Sequence, residues 1–207
     1  MKFAILAFAT LLAQADAQAY NVQSDGFRLV LKSPTNNSAY NNRALGPCHV
    51  GAAEESLCLT NDTIIDPARY ATTFYHNTTS YNHDNPQNAN DTAGILNWPL
   101  RYNNGEGIAS SAMAFQYSAT PYLMSMIFAP GKASHQNVYF EQRNSSYSTM
   151  YIIVSLNDTG STPAFSIPAI KVSNWYICTK YLMWNMGLTN EPLDSSCSRV
   201  SVQRVWA

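Results

Sequence analysis

Asn174-Trp175-Tyr176-Ile177-Cys178-Thr179-Lys180-Tyr181-Leu182, then a polar connection, then Cys197 and Arg199-Val200-Ser201-Val202-Gln203-Arg204-Val205-Trp206, is the stretch that decides the fold. Both runs are strand-like and each carries one cysteine. Together they read as a stapled terminal β unit against which other strands pack. Working back from it, Phe165 to Val172 leads into the unit, and Asn157-Asp158-Thr159-Gly160 turns the chain before that. Ser148 to Leu156 is apolar on both faces and is expected to be the most central strand.

Earlier segments repeat the theme. Phe27, Leu29 and Leu31 alternate with Arg28 and Lys32, the pattern of a half-buried strand. Tyr70 to Tyr75 suits a pleated surface, and Ile95 to Tyr102, with Trp98-Pro99, fits a short edge strand because proline cannot donate to a ladder. Asn103-Asn104-Gly105 is a hairpin signal. Ala112 to Ser118, Tyr122 to Ala129 and Val138 to Arg143 supply further strands. Helical pattern is confined to a turn near Ala52–Ser56 and another at Ala68–Tyr70, and His76 to Thr92 reads as a long polar loop. Eight to eleven short runs with regular turn signals predict an all-β fold, an antiparallel β-sandwich or barrel-like single domain with little helix.

The N-terminus predicts export. Lys2 precedes an apolar run from Phe3 to Ala13, and Ala15-Asp16-Ala17 fits a small-x-small cleavage site. Residues 1–17 are therefore expected to be a signal peptide, and residues 18–207 a single secreted β-rich domain. No later apolar stretch approaches the roughly 20 residues of a spanning helix, so membrane insertion is not expected. Charged residues make up 12% of the chain and the net charge is -1, which leaves no basic footprint for nucleic acid. The expected location is extracellular or at a cell wall.

Four cysteines, Cys48, Cys58, Cys178 and Cys197, all follow the leader and allow three connectivities. Cys48–Cys58 and Cys178–Cys197 each close a short loop between neighbouring elements, and that pairing is expected. Zinc is the rival reading, but neither pair has the two-to-four-residue gap that zinc ligands favour. Six sequons, at Asn36, Asn61, Asn77, Asn90, Asn144 and Asn157, lie in polar or turn-like sequence and mark expected glycosylation sites.

Leu45-Gly46-Pro47-Cys48-His49-Val50-Gly51-Ala52-Ala53 with Leu57-Cys58-Leu59, and then Asn174 to Thr179 with Ser196-Cys197 and Val200 to Val205, resemble the two landmark blocks of a family of small secreted fungal proteins of unknown function. The resemblance implies export, a β-rich fold and two disulfides, and it implies no reaction. The segment between Tyr75 and Asn104 is longer and richer in asparagine than the family's usual pattern.

No arrangement for chemistry stands out. Gly46-Pro47-Cys48-His49-Val50-Gly51 places its second glycine one position too late for a nucleophile elbow. His49, His76, His83 and His135 show no ligand spacing, so no metal and no cofactor are expected. The carboxylates Glu54, Glu55, Glu106, Glu141 and Asp158 are not spaced to select a glycosidase pair. Tyr and Trp rings stack on sugars, and Trp98, Tyr102, Tyr122 and Trp184 lie at or near turns, with His49 held beside the first staple. These five residues are the candidate binding set for an extracellular carbohydrate or protein partner. The expected function is a non-enzymatic binding protein. The alternatives are a secreted polysaccharide hydrolase with Glu141 or Glu54 as acid, and a protein-binding effector or inhibitor with an exposed apolar patch.

Overall fold

The computed structural model describes residues 20–34, 39–63, 73–80, 92–103, 106–131, 135–143, 147–157, 164–187, 192 and 194–206. The expected signal peptide, the expected Ala68–Tyr70 turn, His83 and the sequons Asn36, Asn90 and Asn144 lie outside them. Fourteen strands follow in order: β1 (Val22–Gln23), β2 (Phe27–Lys32), β3 (Arg43–Gly51), β4 (Glu54–Thr63), β5 (Tyr75–Thr78), β6 (Gly94–Tyr102) and β7 (Gly107–Tyr117). Then come β8 (Leu123–Pro130), β9 (Asn137–Gln142), β10 (Tyr147–Asn157), β11 (Ala164–Val172), β12 (Trp175–Cys178), β13 (Tyr181–Asn185) and β14 (Cys197–Trp206). All their pairings are antiparallel and join them into one hydrogen-bonded network, the expected all-β class.

That network closes on itself. From β14 the ladders run to β2, from Phe27 and β1 to Phe74 and β5, then to β6, β9 and β10, and back to β14. Six walls with alternating direction form a small barrel, in which β5, β9 and β14 run one way and their neighbours the other. The other strands widen this unit. β7 and β8 extend β6, while β8, β4 and β13 meet at a three-way junction where β13 pairs with both of the others. The β12–β13 hairpin then returns to the first half of β14.

The period of two decides what is inside. Phe27, Leu29 and Leu31 of β2, Val138 and Phe140 of β9, Met150 and Ile152 of β10, and Val200 and Val202 of β14 belong to one buried cluster. Trp175, at 0% exposure the largest fully buried side chain, donates its Nε1 hydrogen to the Met150 carbonyl at 2.9 Å. Both expected disulfides are present. Cys178 and Cys197 are directly opposite on β12 and β14, and Cys48–Cys58 crosses the β3–β4 hairpin.

Several local expectations change. Ala52–Ser56 forms no helical turn: Ala52 and Ala53 make a two-residue hairpin connection, with Ala53 at φ 57°, and β4 starts at Glu54. His76 to Thr78 belongs to β5 rather than to a loop, because ladders to β1 and β6 capture both of its edges. β6 is no edge strand over Gly94–Asn97, where β5 runs beside it. Pro99 falls beyond the last β5 partner, so its missing N–H interrupts no ladder on that side. Arg28 is 4% exposed, so β2 is buried on both faces. β10 is central only in its first half, since Ile153 and Leu156 are exposed alongside β11.

Candidate functional site

Inward-facing rows of the barrel stay apolar along most of their length and turn polar together at one end. On β14 the row runs Val200, Val202, Arg204, Trp206, and on β5 it runs from Phe74 through His76 to Thr78. On β9 it runs Val138, Phe140, Gln142. Because β5, β9 and β14 point the same way, all three polar ends reach the same mouth. The register makes this explicit: Ser148 lies directly opposite Gln142 on one side and Arg204 on the other. A cavity of about 390 Å³ opens there, walled by Val22 to Asp25, His76, Thr78, Thr92, Phe140, Gln142, Arg204 and Trp206.

Its floor is aromatic. Phe27 and Phe140 meet edge to face at 5.4 Å, His76 meets Phe140 at 5.1 Å, and Trp206 meets Phe27 at 5.9 Å. Arg204 lies among these rings, 4.4 Å from the centre of Phe140, 4.5 Å from Trp206 and 5.6 Å from Phe27. The ring faces are negative, so they stabilise the cation without consuming its N–H donors. Its Nε–H donates to Ser148 Oγ at 2.9 Å. Burial lowers the guanidinium pKa to about 10.

His76, 5% exposed, is the second polar group of the floor. Its Nε2 is 3.2 Å from the Val138 carbonyl oxygen, which only accepts, so Nε2 carries a hydrogen. Burial is the main cause that lowers its pKa to about 4, and the positive charge of Arg204 adds to the effect. Gly94 makes this placement possible. A β-carbon there would lie 2.5 Å from His76 Nε2 and 2.6 Å from the Asn77 carbonyl oxygen.

The residues singled out by sequence are not assembled at this mouth. Trp98 and Trp184 are 8% and 6% exposed, sharing inward faces with Leu96 and Leu182, and Trp184 stacks on Phe115 at 5.2 Å. Neither offers a ring to a ligand, because period-two parity turns both into the core. Tyr102 and Tyr122 are about half exposed but sit on hairpins at opposite ends of β7. His49 is exposed on the β3–β4 hairpin, its Nδ1 3.1 Å from Glu55 Oε1. Arg204 and Trp206 were missed because a charge in a strand reads as solvent-facing. The signal was present in Val200-x-Val202-x-Arg204-x-Trp206, where parity puts the charge on the valine side.

A second cavity, about 370 Å³, lies on the outer faces of β4, β7, β8 and β13, with Tyr117 and Tyr181 among its walls. Among the described residues, the mouth is walled by one carboxylate, Asp25, and the second cavity by one, Glu54. Glu141 is ion-paired with Arg143 at 2.6 Å and Lys171 at 3.7 Å. Among those same residues, no cluster of His, Cys, Asp or Glu could hold a metal ion, and no helix is long and apolar enough to cross a membrane. Phe165 and Ile167 on β11 are exposed apolar residues.

A family model described as Domain of unknown function (DUF7907) matches residues 24–206. The chain belongs to that family. The DUF7907 match spans every strand from β2 to β14, so the barrel, both staples and the mouth residues from Ser24 onward fall inside it. No curated protein and no solved structure matches the chain.

Proposed function

We propose that this DUF7907 protein is an exported, N-glycosylated fungal protein of the extracellular space or cell wall that binds carbohydrate at its barrel mouth and breaks no bonds itself. The observation that carries the reading is Trp206, 44% exposed at the rim of a cavity whose walls also offer Gln23, Ser24, Asp25, Thr78 and Gln142. A sugar presents an apolar ring face and a rim of hydroxyls, and this wall offers an aromatic face beside hydrogen-bonding groups. The volume is near the lower end of ligand pockets, which run from about 300 to 1,000 Å³. That suits the end of a saccharide better than a long chain in a groove.

The absence of a second carboxylate in either described cavity wall weighs against hydrolysis, which needs two flanking the scissile bond. Export is supported by the leader-like N-terminus and by two disulfides, which persist in oxidising compartments. Among the sequons, Asn157 ends β10, whereas Asn77 lies inside β5 with its Oδ1 buried, so Asn157 is the better glycan acceptor. Binding is tested by a glycan array with enzymatically deglycosylated protein, followed by titration of the hits. The expected result is binding that Trp206→Ala abolishes. Failure of every polysaccharide at millimolar concentration, or full binding by Trp206→Ala, would falsify it.

A further inference from the structure

We infer that the barrel mouth is built for a carboxylated sugar, with Arg204 taking the carboxylate; this rests on the carbohydrate reading above and specifies its ligand. A guanidinium carries five N–H donors in one planar fork. In Arg204 one of them, on Nε, is used by Ser148 Oγ. Among the described residues the other four have no acceptor, and no carboxylate stands within ion-pair distance. The aromatic contacts offset part of the desolvation of the charge and leave those donors free.

Arg204 is partly buried; withdrawing a cation from water without an anion is costly, and strands ordinarily place arginine on the wet face. Here it occupies the core-facing row, held by a cross-strand serine at the base of an open cavity. A ligand carboxylate completes the fork with two parallel, charge-assisted hydrogen bonds.

The rest of the wall narrows the class. Arg204 is the only cationic side chain of the lining, His76 being neutral, while Asp25 contributes a negative charge to the same rim. A polyanion such as a sulfated or phosphorylated chain would meet Asp25 unfavourably. A sugar acid presents one carboxylate to Arg204 and hydroxyls that donate to Asp25, while its ring face stacks on Trp206. Uronic acid residues have this chemistry.

The test is calorimetric titration of the folded, deglycosylated protein with digalacturonate, diglucuronate and dimannuronate, each paired with its methyl ester. The ester keeps the ring and removes the charge. At least one acid is expected to bind about tenfold to a hundredfold tighter than its ester. Arg204→Gln is expected to erase that ratio, and Trp206→Ala to abolish binding of acid and ester alike. The wild-type ratio requires no variant, and sodium chloride should weaken the acid alone. Esters or neutral glycans binding as well as acids overturn the inference and leave the carbohydrate reading standing. No binding by acids, esters or neutral glycans overturns both.

Discussion

The two halves of β14 have the same inward alternation and opposite fates. From Cys197 to Val202 the strand is tied to β12 by a disulfide, and its inward valines pack in the core near Trp175. From Gln203 to Trp206 it is flanked by β2 and β10, and the same inward row presents Arg204 and Trp206 to a cavity. One half obeys the rule that core-facing residues are apolar, and the other breaks it at a single end of the barrel. Sequences violate such rules mainly where function requires it, which is why the violation rather than the core locates the site.

Four measurements would break or sharpen that contrast. The largest effect is expected from Trp175→Ala, which removes the biggest fully buried side chain and leaves the Met150 carbonyl without its indole donor. Urea unfolding should show a loss of about 4 kcal/mol. Replacing both Cys178 and Cys197 with alanine should cost about 3 kcal/mol in the same assay, because the unfolded chain regains the freedom of a closed loop. A midpoint unchanged by that double substitution would mean the staple contributes nothing.

The mouth should respond to acid instead. His76 has its folded pKa lowered to about 4 from 6.5, so the unfolded chain takes up the proton first. Its contribution is fully present above pH 6.5 and is lost as the pH falls towards 4. The loss is at most about 3.5 kcal/mol, since the fall from 6.5 to about 4 spans about 2.5 pKa units and each corresponds to about 1.4 kcal/mol. Comparing wild type with His76→Gln between pH 8 and pH 4 isolates it, and parallel curves for the two proteins would refute it. The smallest stability effect, under about 1 kcal/mol, is expected from Trp206→Ala, because the ring is 44% exposed. That variant should melt almost as wild type does and yet lose saccharide.

Much of the fold was legible because its determinants are local. The Asn103-Asn104-Gly105 signal falls between β6 and β7, which pair from Tyr102 and Gly107 onward. The sulfur pairings follow from short loops, and β8, β9 and β11 lie close to the runs Tyr122–Ala129, Val138–Arg143 and Phe165–Val172, while β7 starts five residues before Ala112. β5 was hidden because Tyr75-His76-Asn77-Thr78 is polar in sequence and is held as a strand by partners distant in the chain. The turn at Ala52-Ala53 was misread for a similar reason, since its residues favour helix locally while the Cys48–Cys58 hairpin imposes a reversal.

The candidate site was less legible. Trp98 and Trp184 lie near turns in sequence, but turn proximity does not fix which side of a strand a ring occupies. Parity relative to Leu96 and Leu182 does, and it buries both. Arg204 shows the converse, a charge whose parity matched the valines all along.

By itself the sequence determined the all-β class, most of the strands, the reversal at Asn103-Asn104-Gly105 and both sulfur bridges, because each depends on residues near one another along the chain. Only the tertiary structure decided that β2, β5, β6, β9, β10 and β14 close into one ring and bring Arg204, His76, Gln142 and Trp206 to a common mouth. Those residues are far apart in the chain, and closure depends on long-range ladders whose register no local pattern encodes.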